Sequence, residues 1–287
     1  MKKENITLSI LFLLSIAFFA CNLEQEVDID LPDFNDGIAI ECYLEPGKPF
    51  RLLMTNTNAY FDPLPPLNEQ FLAAFLIDSA DVKIIHEGVT YDLKNQFSFD
   101  PDQIKFFNYI SNDFVPESYD TPFELEIVTK EGALISSSTV ILEPVPIDSV
   151  VIEFDDEPRN DTLFARALTY FNDDPDRSNF FRRMLHEGSL DSIPLQDFTV
   201  DDRFAEGRFV FGTQFIFAPG DTVINSIFHI TEDYYNFLES TQNAINGNFN
   251  PFGQPSPIIS NLDSELENVI GIFTGLSYDR IEQIVPE

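Results

Sequence analysis

Three histidines, two cysteines and several runs of carboxylates are the residues whose types suit them to chemistry. His86, His186 and His229 lie on separate expected strands. None has a second ligand two or four positions away, so the chain carries no zinc spacing. They read as core or surface histidines. No Gly-x-Ser-x-Gly occurs and Cys42 has no neighbouring histidine, so neither a nucleophile elbow nor a Cys–His dyad is supported. The stretch "NDDPDRSN" at 172–179 sets Asp174, Asp176 and Ser178 at the alternating offsets of a calcium loop. Such a loop needs Gly at its sixth place and Glu at its twelfth, where Asn179 and Leu185 stand. The residues read better as an Asp-Pro turn between strands, with a looser calcium site as the alternative. No other cofactor is expected. Asp155, Asp156 and Glu157, and likewise Asp201 and Asp202, read as turns; paired glycosidase carboxylates would need a cleft to hold them apart.

The remaining reactive group is Cys21. Lys2 and Lys3 precede an apolar run from Ile6 to Ala20, and beyond Cys21 the carboxylates Glu24, Glu26, Asp28 and Asp30 fall on alternate positions. This is the layout of a secretory signal, with the small residue that a signal peptidase needs beside the cut. The run is short for a membrane span of about 20 residues. Ala20–Cys21 resembles the bacterial lipobox, which makes Cys21 the expected lipidation site, with Phe18 and Phe19 departing from the usual pattern. More than one acyl chain would anchor firmly, at about 0.8 kcal/mol per buried methylene. Plain secretion and an uncleaved anchor are the alternatives. With Cys21 acylated, only Cys42 remains, and no internal disulfide can form. Cys42 reads as a small buried hydrophobe.

A net charge of −33 with 16 scattered Lys and Arg excludes binding along a nucleic-acid backbone. It also opposes adhesion to anionic lipid through the protein surface. Hydrophobic content of 44% is that of a globular chain, so the acidity reads as a solubilising coat. Aromatic residues are 30 Phe, 9 Tyr and no Trp, a composition weighted to core packing over sugar stacking.

The elements that must position these groups are strands. "GIAIECYLEPGKPFRLLMT" alternates on both sides of Pro46-Gly47, "DVKIIHEGVTYDL" around Glu87-Gly88, and "FELEIVTKEGALISSSTVIL" around Glu131-Gly132. A short helix is expected at 68–76. "SFDPDQIKFFNYISNDFVPESYD" reads as a long polar loop holding one aromatic strand. After the "EPVPIDS" linker, strands fit 148–154, 162–171, 179–187, 206–217 and 221–230. Thr231 caps a helix over 232–245 with Tyr234, Phe237, Leu238 and Ile245 inward, and strands near 268–275 and 278–285 close the chain. The expected fold is mostly β: a signal at 1–20, an acidic tether at 21–37, an immunoglobulin-like β-sandwich at 38–143, and a second sandwich-like module at 144–287 carrying the helix.

Several segments in order are similar to the family of outer-membrane lipoproteins of Bacteroidetes-type bacteria catalogued as domain of unknown function 4249. They are "DIDLPDF", "IAIECYLEPGKPFRLLMT", "FNDDPDRSNFFRR", "EDYYNFLES", "NPFGQPSPIISNL" and "GIFTGLS". The resemblance implies a lipid-anchored envelope protein encoded near TonB-dependent transporters and carries no catalytic residues. The acidic tether resembles the export signals that direct such lipoproteins to the cell surface. The expected function is a non-enzymatic binding or accessory protein beside a TonB-dependent transporter; the alternative is a hydrolase of envelope or nutrient polymers. Partner contacts are expected on two long loops, at Phe61, Pro63 and Pro65 and at Asn250, Pro251 and Phe252, since binding residues concentrate on loops held by a rigid scaffold.

Overall fold

The computed structural model describes residues 37–57, 75–100, 105–203, 207–248 and 256–287, all within one compact unit, Asn35–Glu287. Cys21, Phe61, Pro63, Pro65, Asn250, Pro251 and Phe252 lie outside the described residues, as does nearly all of the helix expected at 68–76. The fold is mostly β, with a single helix near the C-terminus among the described residues.

Seven strands come from the first half: β1 (Ile38–Leu44), β2 (Pro49–Asn56), β3 (Asp81–His86), β4 (Val89–Asp100), β5 (Lys105–Phe114), β6 (Phe123–Val128) and β7 (Leu134–Thr139). The three expected turns are present. Glu45 O accepts from Lys48 N at 3.0 Å with Pro46 and Gly47 between them, and Gly47 takes φ 78°, as a type II turn requires. Glu87 and Gly88 both have positive φ, the two-residue turn whose twist matches a hairpin. Gly132 closes the third.

The immunoglobulin-like sandwich expected for this half is not what forms. All seven strands belong to one nine-stranded sheet in the order β14-β7-β6-β3-β4-β5-β2-β1-β15, with β14 (Asp263–Ser264) and β15 (Val269–Gly275) arriving from the far end of the chain. One core gathers Ile40, Leu44, Phe50, Leu52, Ile84, Leu125, Ile127 and Phe273 from across this single sheet. A sheet that buries its own face against itself must curl, and this one forms a nearly closed, barrel-like arrangement. Asn261 bridges the remaining gap. Its side chain donates to Phe273 O (2.8 Å) and accepts from Phe273 N (3.0 Å), while its own carbonyl accepts from Ser137 Oγ (2.7 Å). It thereby occupies the place of a missing strand pair between β7 and β15.

The other strands are β8 (Ile147–Phe154), β9 (Ala165–Asn172), β10 (Phe180–Glu187), β11 (Gln196–Asp201), β12 (Arg208–Gly212), β13 (Thr222–Ile230) and β16 (Ser277–Ile284). They form a three-stranded sheet, β12-β9-β8, and a four-stranded sheet, β11-β10-β13-β16. Inward residues of the two sheets pack together in two apolar clusters. One holds Ala165, Ala167, Leu185 and Val223; the other holds Ile147, Phe171, Phe181, Phe209 and Ile227.

The helix α1 (Glu232–Asn248) starts where expected. Thr231 Oγ1 accepts from Tyr234 N at 3.3 Å, and Glu232 and Asp233 sit favourably in the first turn. Tyr234, Phe237 and Leu238 pack on Phe228, Ile230, Ile272 and Leu276. Ile245, expected inward, is exposed, because the packed face ends before the last turn. Among the described residues no helix is long and apolar enough to cross a membrane.

Candidate functional site

The β9–β10 loop (173–179) and the residues after β11 (from Asp202) meet at one end of the two small sheets. Pairing of β10 with β11 sets Phe180 opposite Asp201, which carries Asn179 next to Asp202. Between the loops lies an open cleft of about 730 Å³ lined by Asp173, Asp176, Arg177, Ser178, Asp202 and Arg203.

Asn179, only 1% exposed, holds the cleft wall together. Its backbone N–H donates to Asp202 Oδ2 at 2.6 Å, and its Nδ2 donates to Asp202 Oδ2 (3.1 Å), Asp174 O (2.7 Å) and Arg177 O (3.0 Å). Its Oδ1 accepts from Arg177 Nε at 3.1 Å. Asp174 Oδ1 accepts from Asp176 N (3.1 Å), the local bond of an Asx turn. The Asp-Pro segment is thus a turn between two strands.

Electrostatics separate the carboxylates. Burial, reinforced by the charge of Asp202, holds the Asp173 carboxyl above its ordinary range, and its Oδ1 is enclosed without a hydrogen-bond partner. Asp201 moves the other way, because Arg203 and Tyr235 donate to its ionised form. Of the two shifted carboxyls, Asp173 lines the cleft with Asp202, whereas Asp201 is engaged by Arg203 and Tyr235. Arg177 and Arg203 add positive groups to the same cleft.

The histidines do not converge. His86 is on β3, where its Nδ1 donates to Pro122 O (2.9 Å) and its ring stacks on Phe123. His186 and His229 are buried on β10 and β13. Among the described residues no group of three His, Cys, Asp or Glu side chains is placed to hold a metal ion. His229 Nδ1 lies 2.7 Å from Glu143 O and must donate to it, and the ring stacks on Phe181. Burial pushes the His229 and His186 pKa values below the ordinary value. For a base with a depressed folded pKa, stability is complete above the unfolded value of about 6.5. It is lost as pH falls from there towards the folded pKa, because the unfolded chain takes up a proton that the fold refuses. Urea unfolding at pH 7.5 and 5.5 is therefore expected to show a drop that shrinks in His229→Gln, which keeps a donor for Glu143 O. An identical drop in both proteins would assign it to other groups.

The sequence singles out Asp174, Asp176 and Ser178 as a failed calcium loop and Asp201–Asp202 as a turn. It does not reveal that strand pairing brings both segments to one cleft; it passes over Asp173, Arg177 and Arg203, and it meets Asn179 only as the residue standing where a calcium loop needs Gly. The usable signal is that "DDPDRSN" and "DDR" flank two strands of similar length.

The chain is thus mostly β, with a charged cleft built from two adjoining loops. The model for the Domain of unknown function (DUF4249) matches residues 24–282, and the chain belongs to this family. No curated protein matches it.

Proposed function

We propose that this family member is an outer-membrane lipoprotein, anchored through Cys21 and facing the cell surface, that works as a non-enzymatic binding or accessory protein beside a TonB-dependent transporter. The leader supports the anchoring: Lys2-Lys3, the apolar run and Ala20–Cys21 all precede residue 24, where the family match begins. The observation that carries the binding role is an exposed aromatic ridge on the β4–β5 hairpin. Phe97, Phe99 and Phe106 are each between 44% and 49% exposed. Phe106 meets Phe97 at 5.4 Å and Phe99 at 5.0 Å between ring centroids. The opposite face is held rigid by Phe107 and by buried Asp100, which pairs with Arg51. Contiguous exposed aromatics on a stiff support are what a protein partner buries.

The test is affinity purification of the tagged native lipoprotein from detergent-solubilised outer membranes, beside Cys21→Ala and Phe99→Ser. Recovery of one transporter in stoichiometric amount with the native protein, reduced several-fold by Phe99→Ser, is the expected result. Recovery of the protein alone would sink the accessory role. Membrane retention of Cys21→Ala would sink the anchor.

A second reading has its own observation. The raised Asp173 carboxyl beside Asp202 would suit acid–base hydrolysis of an envelope or nutrient polymer in the cleft. Turnover of such a polymer that disappears in Asp173→Asn and Asp202→Asn would favour it over the binding role.

A further inference from the structure

Arg183 is the largest fully buried side chain among the described residues. It lies at an inward position of β10, between Phe181 and Leu185, where alternation calls for an apolar residue. Opposite Leu185 on β13 stands Asn225, also inward and fully buried; Thr169 holds the matching inward place on β9, between Ala167 and Phe171. These residues make a polar layer that divides the interior of the two sheets. It lies between the Ala167–Leu185–Val223 cluster and the Phe171–Phe181–Ile227 cluster.

The hydrogen bonds of this layer do not balance. Arg183 Nη1 donates to Gln196 Oε1 at 2.6 Å, and Nη2 donates to Asn225 Oδ1 at 3.0 Å and to Thr169 Oγ1 at 3.4 Å. Thr169 Oγ1 donates to Asn225 Oδ1 at 2.7 Å. Every acceptor is neutral. No carboxylate among the described residues pairs with the guanidinium, and burial alone pushes its pKa down to about 10. Two enclosed nitrogens, Arg183 Nε and Asn225 Nδ2, have no hydrogen-bond partner. Both are donors, so an acceptor satisfies them and a further donor does not. A buried cation without a counter-charge is costly, and in a chain of net charge −33 the lack of a carboxylate here is not for want of supply.

The layer has a way out. Gln196 lies half-buried on β11, the edge strand of one sheet, and its Nε2 reaches Gly212 O on β12, the edge strand of the other, at 3.5 Å. Solvent therefore meets the layer at Gln196.

We propose that the Thr169–Arg183–Asn225–Gln196 layer binds one small monovalent anion of chloride size, entering past Gln196 and held by Arg183 Nε and Asn225 Nδ2. The anion supplies both the missing acceptor and the missing negative charge.

The experiment compares equilibrium unfolding of the full chain in sodium chloride and in sodium gluconate at equal ionic strength, because gluconate is too bulky for the layer. Above saturation, each tenfold rise in chloride is expected to lower the unfolded-to-folded ratio about tenfold, while gluconate leaves it unchanged. Asn225→Asp places a carboxylate beside Arg183 and removes the Nδ2 donor. It is expected to abolish the chloride dependence and to be the more stable protein in gluconate. Bromide-soaked crystals of the native protein give a readout that needs no variant to fold: an anomalous peak within hydrogen-bond distance of Arg183 Nε and Asn225 Nδ2. Chloride and gluconate curves that coincide, or the lack of that peak, would overturn the proposal and leave a water to satisfy the two donors.

Discussion

Gly271→Ala is expected to destabilise the protein by more than about 4 kcal/mol, a loss reserved for named steric or burial failures. Gly271 lies in β15, paired in parallel with β1 so that it faces Ile40. A Cβ there would lie 1.8 Å from Ile40 O and 2.7 Å from Ile40 C, both backbone atoms that cannot swing aside. Its φ of 143° is also one that L-residues avoid. Relief requires β15 to leave β1. The strand is buried on both faces: Ile272 packs with α1, and Phe273 enters the core of the curled sheet. Each such side chain contributes about 1.5–3 kcal/mol when buried, so separation forfeits several kcal/mol. Losing β15 also removes the backbone that Asn261 grips, and the sheet then opens at its only bridged gap among the described residues. Gly88→Ala is the control. Its φ of 77° is similarly unusual, but nothing lies within 4 Å of where the added methyl would sit, so a cost of about 1–2 kcal/mol is expected. Urea midpoints for the two variants decide it: equal losses would refute the parallel β1–β15 contact.

The same strand shows where reading the sequence stops. The turns at Pro46-Gly47, Glu87-Gly88 and Glu131-Gly132 are legible because glycine supplies a positive φ between two alternating runs. Thr231 is legible as a cap because a hydroxyl, two carboxylates and an apolar stripe follow one another. These signals are local. "VIGIFTG" declares itself a strand, but nothing near it in the chain says that its partner is "IAIECYL", and a parallel pairing between opposite ends leaves no turn to read. For that reason a curled nine-stranded sheet reads as a sandwich. The strand β11 escapes notice since "QDFTVD" alternates poorly and has no fully buried residue. Without β11 the cleft cannot be assembled, because Asp202 reaches Asn179 only through the β10–β11 pairing. Arg183 is hidden differently. In "FFRRMLHE" arginines occupy both an outward and an inward position, so the pattern alone does not say which face is core.

Phe171→Ala is expected to cost about 3–5 kcal/mol, the range for emptying a large aromatic site in a packed interior. Phe171 is fully buried on β9. Its ring stacks on Phe209 at 5.0 Å, meets Phe181 edge-on at 5.1 Å and touches Phe211 at 5.3 Å. These rings come from β9, β10 and β12, so one side chain joins both sheets. Its truncation leaves a void that the strands cannot close, because their spacing is fixed by the ladders on either side. The void would also open beside the polar layer, two residues along β9 from Thr169, where water could then reach the guanidinium of Arg183. Phe171→Leu, which keeps most of the volume, should lose less than half as much. Denaturant unfolding of both variants measures the difference. A cost below about 1 kcal/mol for the alanine variant would mean that the two sheets do not share this aromatic contact, whatever the strand order around it.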